Sequence, residues 1–255
     1  MTDTRNVRLL MALTALAIMT VSSLGCGGPT RRYYYALSYP HIESVERQIP
    51  DALHQGRLRV KRFTIGEAYN RPQLVYRQSP WEFQYYVYRY WAAKPQKMMR
   101  DIFHEHIKRT GLFEGVELEY GDTKFQYELG GEINAIEEYD SAGDWYAHLA
   151  MNVELTRLSD GKVIWRYSFD RKRKVEKKNP VYVIQSLSGI LRDEMGPIMA
   201  GMDQALSKLE GVQPTLQATP VMGDELPEVD ACQPESQETL RKERPDTVLD
   251  EPPAN

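Results

Sequence analysis

Two segments of alternating apolar and polar residues, joined by a hairpin signal, place the strongest constraint on this chain. Apolar side chains recur at every second position from Trp145 to Leu155 and again from Val163 to Phe169. Between them lies Ser159–Lys162, whose Asp-Gly pair is a strong signal for a tight β-turn. We therefore expect two long antiparallel strands with one buried face.

Two further segments carry helix signals. Pro95 precedes an apolar stripe with helical spacing, and Gly111 follows it as a stop. Asn179 and Pro180 form a cap and a first turn for a long helix ending near Leu209. Shorter strands are predicted at Tyr33–Ser38, Arg57–Ile65, Leu74–Arg77, Trp81–Trp91, Val116–Tyr120 and Phe125–Glu137. This order predicts an α+β fold, a mainly antiparallel sheet with two helices packed on one face.

The N-terminus has the pattern of an export signal. Two arginines precede an apolar run from Leu9 to Val21, which is shorter than the roughly 20 residues of a membrane-spanning helix. The following Gly25-Cys26 resembles the lipobox of bacterial lipoproteins. This resemblance implies cleavage after Gly25 and attachment of lipid to Cys26, and Gly27 favours the outer over the inner membrane. The alternative is an ordinary signal or short anchor in which Cys26 is incidental.

The C-terminal segment differs in composition from the rest of the chain. Residues 211–255 hold ten acidic and three basic side chains, seven prolines and no aromatic residue. Such a segment cannot offset its ordering entropy by burial, so we interpret it as a disordered tail that contains Cys232. The predicted organisation is a signal peptide (1–25), a lipid-anchored tether (26–32), an α+β domain (33–210) and the tail (211–255).

The sequence carries no recognisable catalytic or metal-binding motif. His104 and His106 are two residues apart, whereas metal-binding pairs on a helix are four apart. We interpret the paired acids Glu137–Glu138 and Asp193–Glu194 as solvated. We expect no enzyme activity, cofactor or metal site, and the net charge of −4 gives no signal for nucleic acid.

A basic run is the first candidate for a binding surface. It is predicted to be the loop from the last strand to the long helix, Arg171–Lys178, and its candidate contacts are Arg171, Lys172, Arg173 and Lys174. Basic clusters attract anionic lipid headgroups or acidic partner surfaces. The alternative is a solvated strand edge that its lysines protect from aggregation.

An aromatic run from Trp81 to Trp91 is the second candidate. The aromatic positions change phase between Tyr85 and Tyr86, which a bulge or burial on both faces would explain. One face would pack in the core and the other would contact a partner or lipid through Trp81, Tyr85 and Tyr88. The alternative is that both faces are internal.

The body of the chain, Tyr33 to Leu209, resembles the ABC-type transport auxiliary lipoproteins, which include the lipoprotein of the paraquat-inducible MCE system. The matching residues are Tyr34-x-x-x-Ser38, Leu58-x-Val60, Tyr69-x-Arg71-x-Gln73-Leu74-Val75-Tyr76-Arg77, Tyr86 to Tyr90, Trp91-Ala92, Pro95 and Gly111-Leu112-Phe113. These motifs are structural, so the resemblance supplies no catalytic residue.

The resemblance implies a periplasm-facing lipoprotein that works with an MCE-domain protein, a permease and an ATPase to move phospholipids between membranes. Its role would be docking at the outer membrane, with phospholipid contact and homo-oligomerisation left open. A structural or regulatory lipoprotein that activates another cell-envelope protein is the competing hypothesis.

Overall fold

The computed structural model describes residues 31–38, 52–118, 124–141 and 143–216. The elements in chain order are β1 Tyr33–Tyr35, β2 His54–Val60, β3 Thr64–Ile65, β4 Gln73–Ser79, β5 Glu82–Trp91, α1 Pro95–Thr110, β6 Phe113–Leu118, β7 Tyr127–Ser141, β8 Asp144–Arg157, β9 Lys162–Val175 and α2 Pro180–Glu210. The division of the chain into compact units falls between Arg32 and Tyr33.

Strand β7 organises the sheet. One edge of β7 pairs along its length with β8, and β8 pairs with β9, both antiparallel. The other edge pairs in parallel with β2, then β3, then β4. Strand β6 lies beside β2, while β5 and then β1 lie beside β4. Most residue pairs belong to the antiparallel ladders, which confirms the predicted α+β class.

Both helices cover the same face of the sheet, called here the helix face. Alternate β8 residues from Leu149 to Leu155 are at most 1% exposed because α2 packs across β7, β8 and β9. Helix α1 packs on β2 and β6, and its Phe103 meets Phe63 edge-on at 5.0 Å between ring centroids. The opposite side, called the open face, carries the more polar residues of β7, β8 and β9.

The helix ends form where the sequence signals predict them. Pro95 and Pro180 occupy the first turns, where a missing N–H costs no hydrogen bond. The Asn179 side chain accepts a hydrogen bond from the Val181 N–H at 3.0 Å. Gly111 ends α1 with φ 64°, a left-handed conformation that glycine adopts without a steric penalty. In the described part of the chain, neither helix is long and apolar enough to cross a membrane.

The predicted loop over Arg171–Lys178 is wrong in its first half. Strand β9 continues to Val175, and Arg171 and Arg173 pair with Leu149 and Ala147 of β8. These arginines are accommodated because α2 supplies carboxylates next to them. The sequence does not indicate a strand here because residues 171–174 are all charged, and the carboxylates that pair with Arg171 and Arg173 lie on a distant element, α2.

Candidate functional surfaces

The open face holds a shallow polar trough of about 450 Å³. It lies over the middle of β7, where Gly130 contributes no side chain. A Cβ at Gly130 would meet only the Glu154 Cγ, at 4.0 Å, so the fold does not require glycine there. A strand glycine facing open space permits close approach by another molecule. The trough is lined by Lys61, Arg62, Glu132, Asn152, Glu154 and Arg166.

A cluster of mostly buried polar side chains lies next to this trough on the open face. We call it the Glu137 cluster, and its members are Tyr69, Arg77, Glu137, His148 and Asp170. The Glu137 side chain is 0% exposed and accepts hydrogen bonds from the Tyr69 hydroxyl at 2.7 Å and Arg77 at 2.5 Å. His148 joins two carboxylates, with Nδ1 2.8 Å from Glu137 and Nε2 2.9 Å from Asp170. Only Asp170 is largely exposed, at 72% of its side chain.

Opposing effects set the ionisation of Glu137. Burial raises the pKa of its carboxyl, but hydrogen bonds from His148, Arg77 and Tyr69 outweigh burial and hold the pKa below its usual value. Burial, followed by the charge of Glu137, raises the pKa of the Tyr69 phenol. Because ionised carboxylates only accept, His148 donates to both neighbours when both of its ring nitrogens carry protons.

The Glu137 cluster is suited to holding the sheet together. Both Glu137 oxygens are occupied by donors from β4, β8 and the loop before β4. The interpretation of Glu137–Glu138 as solvated is wrong, because both residues are at most 3% exposed. Across the described ranges, no group of three or more His, Cys, Asp or Glu residues is arranged to hold a metal ion.

A second buried histidine joins two carboxylates at the other end of the sheet. His54 Nε2 lies 2.6 Å from Asp203 and Nδ1 lies 2.8 Å from Glu210, both on α2. The backbone N–H groups of Thr215 and Leu216 also donate to Asp203, at 2.6 and 2.5 Å. This arrangement fixes the chain that leaves α2 against the start of β2.

The predicted basic contacts lie at the end of β9, and most of their charge is paired internally. Arg171 bonds Glu194 at 2.6 Å, Arg173 bonds Asp193 at 2.5 Å, and Lys174 bonds Asp144 at 2.7 Å. Lys172 lies 4.1 Å above the centre of the Tyr139 ring. The interpretation of Asp193–Glu194 as solvated is therefore wrong. A role for these four residues in binding stays a prediction.

The three predicted aromatic contacts, Trp81, Tyr85 and Tyr88, differ in exposure. Trp81 occupies the β4–β5 turn and is 89% exposed, whereas Tyr85 and Tyr88 are partly buried. The Arg71 guanidinium lies 4.3 Å above the Tyr85 ring. Tyr86 is 1% exposed and donates to Glu138 on the helix face. The run is only partly covered, because Val87 is 49% exposed, and its pairing with β4 shifts register between Tyr85 and Tyr90.

Several predicted features fall outside the described residues. They are the lipid site Cys26, the cleavage site Gly25, the apolar run before them and the acidic tail beyond residue 216. The Glu137 cluster was missed because Tyr69 and Arg77 lie 68 and 60 residues before Glu137 in the chain. One sequence signal was available, since Glu137 and His148 occupy paired positions once the β7–β8 hairpin is registered.

Comparison with known proteins now identifies the family. Residues 35–194 match the family model described as the ABC-type transport auxiliary lipoprotein component. The chain belongs to this family. The match runs from the end of β1 into the middle of α2 and so includes the sheet, the trough and the Glu137 cluster. It confirms the resemblance, and the family description associates the chain with ABC-type transport and the cell envelope.

Solved structures show the same fold at low sequence identity. Protein XCC0632 from Xanthomonas campestris is 18% identical, with a TM-score of 0.53, over 72% of this chain and 96% of that chain. A second structure, described as an uncharacterized protein, is 13% identical with a TM-score of 0.51, over 67% of this chain and 97% of that chain. The comparison with curated proteins gives no match.

Proposed function

We propose that this auxiliary transport lipoprotein is a non-catalytic docking subunit of an MCE-type lipid-transport system. Lipid on Cys26 would anchor it to the outer membrane, facing the periplasm. Its partners would be an MCE-domain protein with a permease and an ATPase. The family match over residues 35–194 carries this proposal.

The chemistry of the open face supports docking. The most buried ionisable groups there, in the Glu137 cluster, are occupied by one another and so are poorly placed to attack a substrate. The trough instead presents Lys61 and Arg62 near Glu132 and Glu154 across an open surface. Mixed charge around an open polar surface favours recognition of a protein with complementary charges.

Recovery of the native lipoprotein from membranes tests the partner. We expect it to bring down an MCE-domain protein, and we expect genes for that protein, a permease and an ATPase beside its own. Recovery of an unrelated envelope enzyme, without any MCE protein, would favour the regulatory alternative and contradict the proposal.

A trough-filling variant tests the surface. Gly130→Trp places an indole where a Cβ makes only an ordinary contact, with the Glu154 Cγ at 4.0 Å, so the domain should fold and lose the MCE partner. Lys108→Trp adds the same bulk to an exposed position of α1 and should retain the partner. Equal recovery by both variants would exclude the trough as the docking surface.

Acylation is tested separately. Labelled palmitate should enter the wild type and not Cys26→Ala, and globomycin should cause the unprocessed form to accumulate. Labelling retained in Cys26→Ala would remove the anchor from the proposal.

A further inference from the structure

Exposed apolar side chains of the described residues concentrate on one edge of the sheet. Of the five large apolar residues that are exposed in the described part of the chain, three belong to β1, β5 or the turn before β5: Tyr34 at 62%, Trp81 at 89% and Val87 at 49%. The other two lie at the end of α2. Trp81 is the most exposed of the five, so its indole contributes little to the core.

Strand directions place several features at the same end of the sheet as Trp81. Strand β4 ends there, and so does β7, because Arg77 pairs in parallel with Tyr139. Strand β8 begins there and β9 ends there, with Trp145 paired to Val175. We call this the turn end. The hairpin turn between β8 and β9 lies at the opposite end.

The direction of β1 determines how far the segment from the predicted anchor, Cys26, must extend to reach the turn end. Strand β1 runs parallel to β5, with Tyr33 beside Arg89, so the first residue of β1 is the one nearer the turn end. From Glu82 to Arg89, β5 covers roughly 23 Å at the rise of a strand. The seven steps from Cys26 to Tyr33 extend to about 23–25 Å. At full extension, the segment from Cys26 to Tyr33 is therefore just long enough for the turn end to meet the bilayer.

We propose that the turn end faces the membrane that holds Cys26, with the Trp81 indole seated in the lipid headgroup region. This inference rests on the acylation of Cys26 in the proposed function. Tryptophan suits that environment because its ring is apolar while its N–H still finds a polar partner.

Charge contributes little to this contact. Five basic side chains lie near the turn end, and five acids accompany them: Lys172, Arg173, Lys174, Lys177, Lys178, Glu82, Asp140, Asp144, Glu176 and Asp193, which pairs with Arg173. Because these formal charges balance, attraction to anionic lipid is weak and the indole carries the contact. Neutral phosphatidylcholine should therefore suffice as the membrane.

Fluorescence quenching by brominated lipid tests the orientation in the full-length, acylated protein. The protein is reconstituted in phosphatidylcholine vesicles with and without brominated phosphatidylcholine. Trp91 and Trp145 are 4% and 5% exposed, and the partly buried Trp165 lies near the β8–β9 turn at the opposite end, so bromine should act mainly on Trp81. We expect clear quenching in the wild type and its loss in Trp81→Phe.

A relocated tryptophan provides the matched control. Lys162→Trp in the Trp81→Phe background moves the exposed indole to the β8–β9 turn, at the opposite end of the sheet. We expect no bromine-dependent quenching of that variant. Equal quenching at both ends, or none at Trp81, would overturn the orientation.

Palmitate labelling of the same samples separates the two proposals. An acylated protein whose Trp81 is not quenched keeps the anchor and loses the orientation. Absence of acylation removes both. If Trp81→Ala abolishes recovery of a protein partner while Trp81 stays unquenched in vesicles, the turn end binds protein and the membrane contact is wrong.

Discussion

Glu137 ties three separate segments of the chain to one buried carboxylate. Its side chain is 0% exposed, and it neutralises Arg77 and faces His148. Glu137→Ala would leave these groups without their charge partner inside the protein. We expect a loss of about 3–5 kcal/mol in the free energy of unfolding, measured by urea denaturation.

Glu154→Ala is the matched control for Glu137→Ala. Glu154 lies on the neighbouring strand and pairs with Arg166, but both side chains are about half or more exposed. Its loss should change stability by no more than about 0.5 kcal/mol. Similar losses for the two variants would mean that the Glu137 cluster contributes no special stability.

The pKa of Glu137 predicts how stability changes with pH. A carboxyl whose folded pKa lies below its unfolded value of about 4.3 stabilises the fold above that value. This contribution is lost as pH falls through the folded pKa. Urea midpoints measured from pH 5 to pH 3 should therefore fall more steeply in the wild type than in Glu137→Gln. Parallel curves would contradict the lowered pKa.

The sequence predicts the roles of single residues only where those roles depend on neighbours in the chain. Asn179, Pro180 and Gly111 have the predicted roles because caps and stops depend on adjacent backbone. Glu137 was misjudged because its donors include Tyr69 and Arg77, 60 or more residues away. Its burial follows from the tertiary fold and not from its neighbours in sequence.

At the scale of elements, α2 depends on a glycine to approach β9. A Cβ at Gly201 would lie 2.5 Å from the Trp165 Nε1, and Trp165 stacks on Tyr167. Gly201→Leu should displace the indole and lower the free energy of unfolding by about 1–3 kcal/mol. In a Trp165→Ala background the same substitution should cost clearly less. Additive losses in the double variant would exclude this contact as the cause.

The short segment after α2, residues 212–216, contributes to the stability of the fold. Ending the chain after Gly211 removes the Thr215 and Leu216 N–H donors from Asp203, which is 1% exposed. We expect a loss of about 2–3 kcal/mol, because charge-assisted hydrogen bonds are replaced by water. A chain ending after Leu216 keeps both donors and should match the full chain in thermal denaturation. Equal midpoints for the two truncations would contradict the role of these donors.

The order of elements was predictable, and their pairing was not. Periodicity predicted both helices and the β8–β9 hairpin, since these depend on residues close in sequence. The parallel pairing of β2, β3 and β4 with β7 was missed. No turn sets its register, because each of these pairs joins residues that are more than 60 positions apart in the sequence.

For the whole molecule, β7 makes the sheet one cooperative structure. Every described strand connects to β7 directly or through one or two neighbours, and one core lies between the sheet and both helices. A protein comprising residues 31–216 should therefore unfold in one transition, with equal urea midpoints by far-UV circular dichroism and tryptophan fluorescence. Separate midpoints would show that the strands on the two edges of β7 unfold independently.

The parallel edge of β7 also sets an order of folding. Leu58 pairs with Tyr127, and Tyr76 pairs with Glu138, so more than 60 residues separate each pair in the chain. The β7–β8–β9 hairpins close shorter loops and should form first. During synthesis, β2 to β4 emerge well before β7 and carry unpaired edges until it arrives. If the chain is exported with its N-terminus first, these strands also reach the periplasm before β7, and a periplasmic chaperone would have the most to bind in that interval.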